Sequence, residues 1–247
     1  MRDLSGKTTI VVGASRGLGH GIAVALAEAG APVVAVARTA PVFAEVGNGA
    51  SIEAEIADAG DATAAGSLLD RYEPAAVVLV AGAAPLMRPL QQQTWETFSV
   101  NWDTDVRITF HWLREALLRP LRPGSRVVVV SSGAALAGSP LSGGYAGAKA
   151  TQRLITGYAQ DEAARAGLGI TFTAVLPRLT PLTDLGRAAV LAYAARSGQS
   201  EEAYLRRMGE PLTPEVAGAA LVGLVRADAA TVAPGYLLTG GGLQDLP

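Results

Sequence analysis

Directly after a short apolar segment, the chain reads Val12-Gly13-Ala14-Ser15-Arg16-Gly17-Leu18-Gly19. The glycines are spaced G-x3-G-x-G, and the residues that follow have helical periodicity. Such a turn lets backbone N–H groups and the positive end of a helix approach a pyrophosphate closely. A tight structural turn would also explain the glycines. Their position at the first strand-to-helix junction nevertheless favours dinucleotide binding.

Outward from this turn, short apolar runs alternate with longer Ala- and Leu-rich segments of helical period. The predicted strands are Thr8 to Val12, Pro32 to Ala37, Ser51 to Ala57, Ala75 to Val80, Ser125 to Ser131, Thr171 to Leu176 and Gly235 to Leu238. The predicted helices are Gly17 to Ala29, Ala62 to Tyr72, Trp95 to Leu118, Tyr145 to Ala166 and Pro214 to Ala227. This alternation is typical of a parallel sheet covered by helices. We predict an α/β fold of Rossmann type, with a doubly wound, seven-stranded parallel sheet and helices on both faces.

The domain organisation is predicted to be simple. No linker, repeat or low-complexity tract divides the 247 residues, so residues 1–247 are expected to form one dinucleotide-binding and catalytic domain. The segment around residues 182–209 is read as an insert after the sixth strand, where α/β proteins place their lids. We expect it to cover a substrate pocket together with residues 83–90 and 133–144.

Composition excludes several classes of function. With 20 basic and 22 acidic residues, the net charge of −2 gives nucleic acid or an anionic membrane little to bind. The absence of cysteine and the presence of only two histidines argue against thiol catalysis and metal sites. The first residues contain no apolar leader segment, so a cytoplasmic protein is expected.

The end of the second predicted strand bears on cofactor preference. The chain reads Val36-Ala37-Arg38-Thr39, where an acidic residue would suit the ribose hydroxyls of NAD. The guanidinium of Arg38 suits a 2′-phosphate instead, and Arg16 could add a second positive charge. Both arginines could equally be solvated surface residues. Asp58 follows the third strand and could accept a hydrogen bond from adenine, or could simply form a turn.

A tyrosine and a lysine carry the predicted chemistry. Tyr145 and Lys149 are four residues apart, so they share one face of a helix. A phenol has a reference pKa of about 10, and a nearby positive charge lowers it. The pair can therefore give and take a proton at a carbonyl or alcohol oxygen. Ser132, at the end of a strand, could hydrogen-bond the same oxygen.

At this point the chain resembles the short-chain dehydrogenase/reductase family, from about residue 5 onward. The matching pieces are the glycine turn 13–19, Asp58, Ala81-Gly82, Asn101, Ser131-Ser132, the Tyr145 and Lys149 pair, and Pro177. In that family a serine lies 13 residues before the tyrosine, which selects Ser132 over Ser131.

The resemblance implies roles for these residues. Tyr145 would be the acid/base, Lys149 would lower the tyrosine's pKa and bind the nicotinamide ribose, Ser132 would position the carbonyl, and Asn101 would hold a relay water. Together with the residues argued above, the implied NADP(H) site comprises Gly13, Ser15, Arg16, Gly17, Leu18, Gly19, Arg38, Thr39, Asp58, Ala81, Gly82, Tyr145, Lys149 and Pro177. No metal ligands are expected.

Four residues, in three segments of the chain, depart from the family pattern. Val12 stands where a turn-stabilising threonine is usual, and Leu79-Val80 replaces an asparagine pair expected to brace the sheet near Asn101. Arg178 follows Pro177 in place of glycine, and it could contact a polar substrate group or point to solvent.

We predict an NADPH-dependent ketoreductase, and reduction is favoured over oxidation because NADPH is implied. The many small and aliphatic residues of the insert, among them Leu185, Ala188, Val190 and Leu191, suggest a medium or bulky, mainly apolar substrate such as a 3-oxoacyl or polyketide-like ketone. An alcohol dehydrogenase of the same family, working in the oxidative direction, is the first alternative. A protein that binds NADP(H) without turnover, as a sensor or structural subunit, is the second. The resemblance also implies a homodimer or homotetramer built from the segments 95–118 and 145–166.

Overall fold

The computed structural model describes residues 3–43 and 51–246. Its strands are β1 (Thr9–Val12), β2 (Val33–Ala37), β3 (Ile52–Ile56), β4 (Ala76–Leu79), β5 (Arg126–Val130), β6 (Thr171–Pro177), β7 (Gly235–Thr239) and β8 (Gly242–Asp245). Its α-helices are α1 (Gly17–Glu28), α2 (Ala62–Tyr72), α3 (Trp95–Asn101), α4 (Arg107–Leu118), α5 (Ala134–Ala137), α6 (Gly143–Arg165), α7 (Asp184–Arg196), α8 (Glu201–Met208) and α9 (Pro214–Arg226).

The strands form one sheet in the order β3-β2-β1-β4-β5-β6-β7-β8. All pairs are parallel except β7 with β8, which is antiparallel. The predicted Rossmann-type fold is confirmed, and its strand count is corrected from seven to eight. The last strand lacks an apolar run because it is a half-exposed edge strand, which follows β7 after a tight turn at Gly240 and Gly241. Such a strand gives no clear sequence signal.

The sheet order places a cleft at the glycine turn. β1 pairs with β2 on one side and with β4 on the other, so the chain reverses its direction of winding at β1. Loops that leave the carboxyl ends of β1 and β4 therefore diverge to opposite faces of the sheet. Ligands of open α/β sheets bind in the crevice that this divergence leaves.

Two apolar layers hold the helices on the sheet. One face packs α1 and α9 against the central strands, and the other packs α2, α4 and α6. The contact between α1 and α9 depends on two glycines. A Cβ on Gly218 would lie 2.6 Å from the Ala25 Cβ, and one on Gly21 would lie 2.6 Å from the Pro214 Cβ. Larger residues at these positions would separate the helices and move α1 away from its place behind the glycine turn.

The helix predicted over residues 95–118 is not regular. It consists of α3, a π-helical turn over Trp102–Val106, and α4. No proline or glycine marks this interruption, so helical periodicity alone could not reveal it. Wide turns of this kind are frequently found at functional sites. Here the turn contains the fully buried Asp105.

The predicted insert folds as α7 and α8, capped by the Thr183 and Ser200 side chains. Among the described residues, no helix has the length and apolarity needed to span a membrane. Within the same residues, no cluster of three or more His, Cys, Asp or Glu side chains forms a metal-binding group.

Candidate active site

A cavity of about 1180 Å³ opens at the carboxyl ends of the strands. Of the residues predicted for the site, all but Asn101 and Thr39 line it. Asn101 lies behind the wall, with 1% of its surface exposed. Thr39 is exposed outside the cavity. The structure therefore brings the glycine turn, Ser132 and the Tyr145–Lys149 pair to one chamber.

Two positions of the glycine turn have no room for a side chain. Gly13 has φ +93°, and a Cβ there would lie 2.5 Å from the Ala81 backbone nitrogen. A Cβ on Gly19 would lie 2.2 Å from the Gly13 carbonyl oxygen. α1 begins immediately after Arg16, and no side chain caps its first turn. The resulting concave backbone, with unpaired N–H groups at a helix N-terminus, fits a pyrophosphate.

The residues predicted for the adenosine end are solvent-exposed. Arg38 is exposed directly after β2 and lines the cavity. Asp58 also lines it, and its Oδ1 accepts a hydrogen bond from the Gly60 N–H at 2.9 Å. Asp58 therefore forms a turn as well as facing the cavity. Arg16 is exposed and lies 3.6 Å from the Asp184 carboxylate of α7.

Two packing contacts position Tyr145 and Lys149 on α6. A Cβ on Gly144 would lie 1.9 Å from the Phe98 carbonyl oxygen, so the start of α6 rests directly on the α3 backbone. The Ser131 hydroxyl donates a hydrogen bond to the Lys149 carbonyl oxygen at 2.7 Å and ties α6 to the end of β5. Lys149 Nζ lies 5.5 Å from the centre of the Tyr145 ring.

The two neighbouring serines have different surroundings. Ser131 is buried and uses its hydroxyl for the α6 contact. Ser132 is half-buried, lines the cavity and accepts only a 3.2 Å hydrogen bond from the Ala134 N–H. A hydroxyl that accepts still has its proton to donate. This geometry agrees with the choice of Ser132 over Ser131.

Asp105 is a site residue that the sequence reading did not find. Its side chain is fully buried, and its Oδ2 lies 3.1 Å from Lys149 Nζ. Its Oδ1 accepts hydrogen bonds from the Ala83 N–H at 2.8 Å and from Asn101 Nδ2 at 3.3 Å. Asn101 Nδ2 also donates to the Ala83 carbonyl oxygen at 2.7 Å. The only sequence signal was an acidic residue four positions after Asn101 on a helix.

The charge of the Asp105 carboxylate determines the protonation state of Lys149. Burial by itself would lower the pKa of this ammonium, but the Asp105 carboxylate and, to a lesser degree, Tyr145 raise it, and the pKa ends above its ordinary value. Lys149 therefore keeps its proton at neutral pH although its side chain is 5% exposed.

The departures from the family pattern have local explanations. Where the asparagine pair is missing, Val80 and Ala81 both donate backbone N–H groups to the Val12 carbonyl oxygen at 2.9 Å, and Asp105 holds Ala83. The turn after Val12 is held by a 2.8 Å hydrogen bond from the Gly13 N–H to the Val36 carbonyl oxygen. The sheet is therefore braced near Asn101 without the missing side chains.

The insert forms part of the cavity wall. Leu182, Leu185 and Ala188 line the cavity, whereas the other two aliphatic residues expected there do not. Val190 is completely buried within the fold, and Leu191 is 48% exposed on the outer face of α7. The Tyr193 hydroxyl of α7 hydrogen-bonds the Ser139 hydroxyl. The insert and the segment after β5 therefore share one wall. Arg178 is exposed at the rim and lines the cavity.

A doubly wound sheet with a glycine turn at its switch point and a tyrosine–lysine pair in the adjoining cavity is an architecture suited to binding a dinucleotide. Residues 7–193 match the sequence model of the family described as short chain dehydrogenase. The chain therefore belongs to the short-chain dehydrogenase family, a family of oxidoreductases that use nicotinamide cofactors.

Among curated relatives, the hydroxynaphthalene reductase-like protein Arp2 of Metarhizium majus is 31% identical over 188 residues, which cover 71% of this chain and 69% of the relative. The 2,5-dichloro-2,5-cyclohexadiene-1,4-diol dehydrogenase of Sphingobium indicum is 31% identical over 204 residues, covering 76% and 78%. A solved structure of a putative 2-deoxy-D-gluconate 3-dehydrogenase from Agrobacterium tumefaciens, with bound NADP, is 27% identical with a TM-score of 0.78 and covers 97% of both chains.

Proposed function

We propose that this protein is an NADPH-dependent ketoreductase in which Tyr145 donates a proton to the substrate carbonyl oxygen. One observation carries the proposal: Tyr145 and the charged Lys149 line the same cavity as the glycine turn. The cofactor, when bound, supplies the hydride. Reduction of a ketone also needs a proton, and a cavity-facing phenol next to an ammonium supplies one.

Two polar residues of the cavity, and the buried Asn101 beside it, have parts in this scheme. The Ser132 hydroxyl donates a hydrogen bond to the carbonyl oxygen and orients it toward the Tyr145 hydroxyl. Lys149 has three N–H donors and uses one for Asp105, which leaves two for ribose hydroxyls and for Tyr145. Asn101 keeps its buried Oδ1 available to accept a hydrogen bond, because no described residue donates to it. That atom is suited to a relay water.

NADP(H) is proposed over NAD(H) because Arg38 lines the cavity directly after β2 and no carboxylate stands there. Arg38 is the stronger candidate for binding a 2′-phosphate, because the positive charge of Arg16 already lies 3.6 Å from the Asp184 carboxylate. The Agrobacterium neighbour was solved with NADP, which supports the proposal.

The proposed substrate is a medium or bulky ketone of 3-oxoacyl or polyketide type. The wall formed by the insert, by residues 84–87 and by α5 contributes mainly apolar side chains, among them Met87, Leu136, Leu182 and Leu185. Relatives whose names refer to hydroxynaphthalene and cyclohexadiene-diol compounds support a cyclic substrate. The Sphingobium relative is named a dehydrogenase, so oxidation of the matching alcohol is the second candidate for this reversible reaction.

The test is NADPH oxidation followed by absorbance, with a panel of linear 3-oxo esters and fused-ring ketones. Tyr145→Phe is expected to lower kcat by about 10²–10⁴-fold, because it removes the proton donor. Tyr158→Phe is the matched control, since this tyrosine lies 60% exposed on the same helix. Tight NADPH binding without turnover of any ketone would support the non-catalytic alternative and refute the proposal.

The cofactor preference has its own test. Arg38→Ala is expected to lower the preference for NADPH over NADH by about 10–100-fold, the equivalent of one charged hydrogen bond. Arg165→Ala serves as the control, because this exposed arginine lies in the last turn of α6, whereas Tyr145 lies in the first. An unchanged preference in Arg38→Ala would show that NADP(H) selectivity lies elsewhere.

We also propose that the chain pairs with a second copy through the faces of α4 and α6. Large apolar side chains on these helices are exposed, with Phe110 and Leu154 each 52% accessible. Trp102, in the π-helical turn beside them, is 41% accessible. Apolar side chains grouped on adjacent helices favour burial against a partner.

A further inference from the structure

One carboxylate links three parts of the proposed active site. Asp105 Oδ1 holds the Ala83 N–H after β4 and the Asn101 amide of α3. Asp105 Oδ2 holds the Lys149 ammonium of α6 at 3.1 Å. The two oxygens therefore have separate partners, and two of those partners, Asn101 and Lys149, have roles in the proposed reaction.

The surrounding structure is shaped for this carboxylate. A Cβ on Gly82 would lie 2.7 Å from Asp105 Oδ2, so glycine at this position leaves the space that the charge occupies. The Asp105 carbonyl oxygen accepts hydrogen bonds from Thr109 Oγ1 at 2.9 Å and from Gln152 Nε2 at 3.1 Å. These bonds tie the π-helical turn to Thr109 of α4 and to Gln152 of α6. The Asp105 side chain therefore has little freedom to move.

The contacts to Ala83 and Asn101 do not by themselves require a charge. A neutral amide oxygen would accept from the Ala83 N–H equally well. A fully buried carboxylate is costly unless a cation pairs with it, and the cation here is Lys149. The negative charge of Asp105 therefore acts mainly on Lys149, and through Lys149 on Tyr145.

We propose that Asp105 is a positioning residue of this enzyme. It anchors the Lys149 ammonium and moderates the positive charge that the ammonium exerts on Tyr145, so that it sets the pH range of the proton transfer. This proposal rests on the proposed function. The pKa of Lys149, raised mainly by Asp105 against the effect of burial, agrees with an ammonium that stays charged.

Other titratable groups face the same cavity and act on Tyr145 more weakly. These are Arg16, Arg38, Asp58, Arg178, Asp184, Tyr193 and Tyr204. Arg16, Arg38, Asp58, Arg178 and Asp184 are exposed at its rim, where solvent screens their charges. Asp105 and Lys149 are the buried charges of the cavity wall among the described residues.

The test uses Asp105→Asn, which keeps an oxygen acceptor for the Ala83 N–H and removes the charge. The pH dependence of kcat is measured for oxidation of the alcohol product, the direction in which Tyr145 must accept a proton. Loss of the carboxylate leaves the positive charge of Lys149 uncompensated. The pH of half-maximal kcat is expected to fall by about one unit, as for a unit charge removed at roughly 10 Å with an effective dielectric constant of about 20.

The matched control is Asp103→Asn. Asp103 lies in the same π-helical turn, but its side chain is 66% exposed and lies 3.9 Å from Arg107. Its replacement is expected to leave the pH of half-maximal kcat unchanged. If Asp105→Asn lowered kcat equally at every pH, so that the pH of half-maximal kcat did not change, Asp105 would be merely structural and the proposal would be overturned.

A double-mutant cycle of melting temperatures tests the proposal without an activity measurement. Lys149→Met leaves the Asp105 carboxylate buried and unpaired, so adding Asp105→Asn should raise the melting temperature of Lys149→Met. The same substitution should lower the melting temperature of the wild type, because it leaves the ammonium unpaired. An effect of the same sign in both backgrounds would overturn the anchoring role. Absence of ketone reduction in the wild type would refute the proposed function alone.

Discussion

Gly13→Ala tests the shape of the glycine turn. A side chain at φ +93° is strained, which costs about 1–3 kcal/mol. The added Cβ would also lie 2.5 Å from the Ala81 nitrogen, a backbone atom that cannot rotate away. Overpacking of this kind costs about 1–3 kcal/mol. We therefore expect Gly13→Ala to lower the free energy of unfolding by about 2–6 kcal/mol in total.

Gly6→Ala separates the two contributions. Gly6 has φ +68°, and nothing lies within 4 Å of an added Cβ, so this variant should lose only the conformational part, about 1 kcal/mol. Urea unfolding measures both variants. The Gly13 variant should also lose the NADPH-induced stabilisation, about 2.7 kcal/mol at 100 times the dissociation constant, because the turn must shift away from the pyrophosphate. Equal stability of the two variants, with normal NADPH stabilisation of Gly13→Ala, would refute this reasoning.

Three further predictions concern α6 and its surroundings. Gly144→Ala should destabilise the protein by about 1–3 kcal/mol and lower kcat, because its Cβ would lie 1.9 Å from the Phe98 carbonyl oxygen. Gly157→Ala on the same helix meets nothing within 4 Å and should stabilise by about 0.5–1 kcal/mol, as urea unfolding would show. Phe110→Glu with Leu154→Glu should yield a monomer by light scattering, and a wild type that is already monomeric would contradict the proposed pairing.

The fold could be predicted from the sequence because its signals are local. Buried parallel strands give continuous apolar runs, and the helix over Ala62–Tyr72 has the bounds expected from periodicity. β8 was not predicted, because a half-exposed edge strand has no continuous apolar run. The π-helical turn was not predicted either, because the contacts that favour it come from α6 and the segment after β4, which are distant in sequence.

The proposed site was predictable to a similar degree and for a similar reason. Tyr145 and Lys149 are related by helical spacing, and the glycine turn by its position after β1. Asp105 could not be found in this way, because its partners Ala83 and Lys149 lie 22 and 44 residues away along the chain (105 − 83 and 149 − 105). Only the fold shows that this acidic residue is buried against the lysine.

The most direct test of the proposed reaction is an isotope-transfer experiment. The protein is incubated with a ketone substrate and NADPH carrying deuterium at both positions of nicotinamide C4, and the product is analysed by mass spectrometry and NMR. We expect one deuterium on the former carbonyl carbon in the wild type and a strongly reduced yield with Tyr145→Phe. Deuterium-free alcohol, or no product with any ketone while NADPH binds tightly, would contradict the proposed ketoreductase activity.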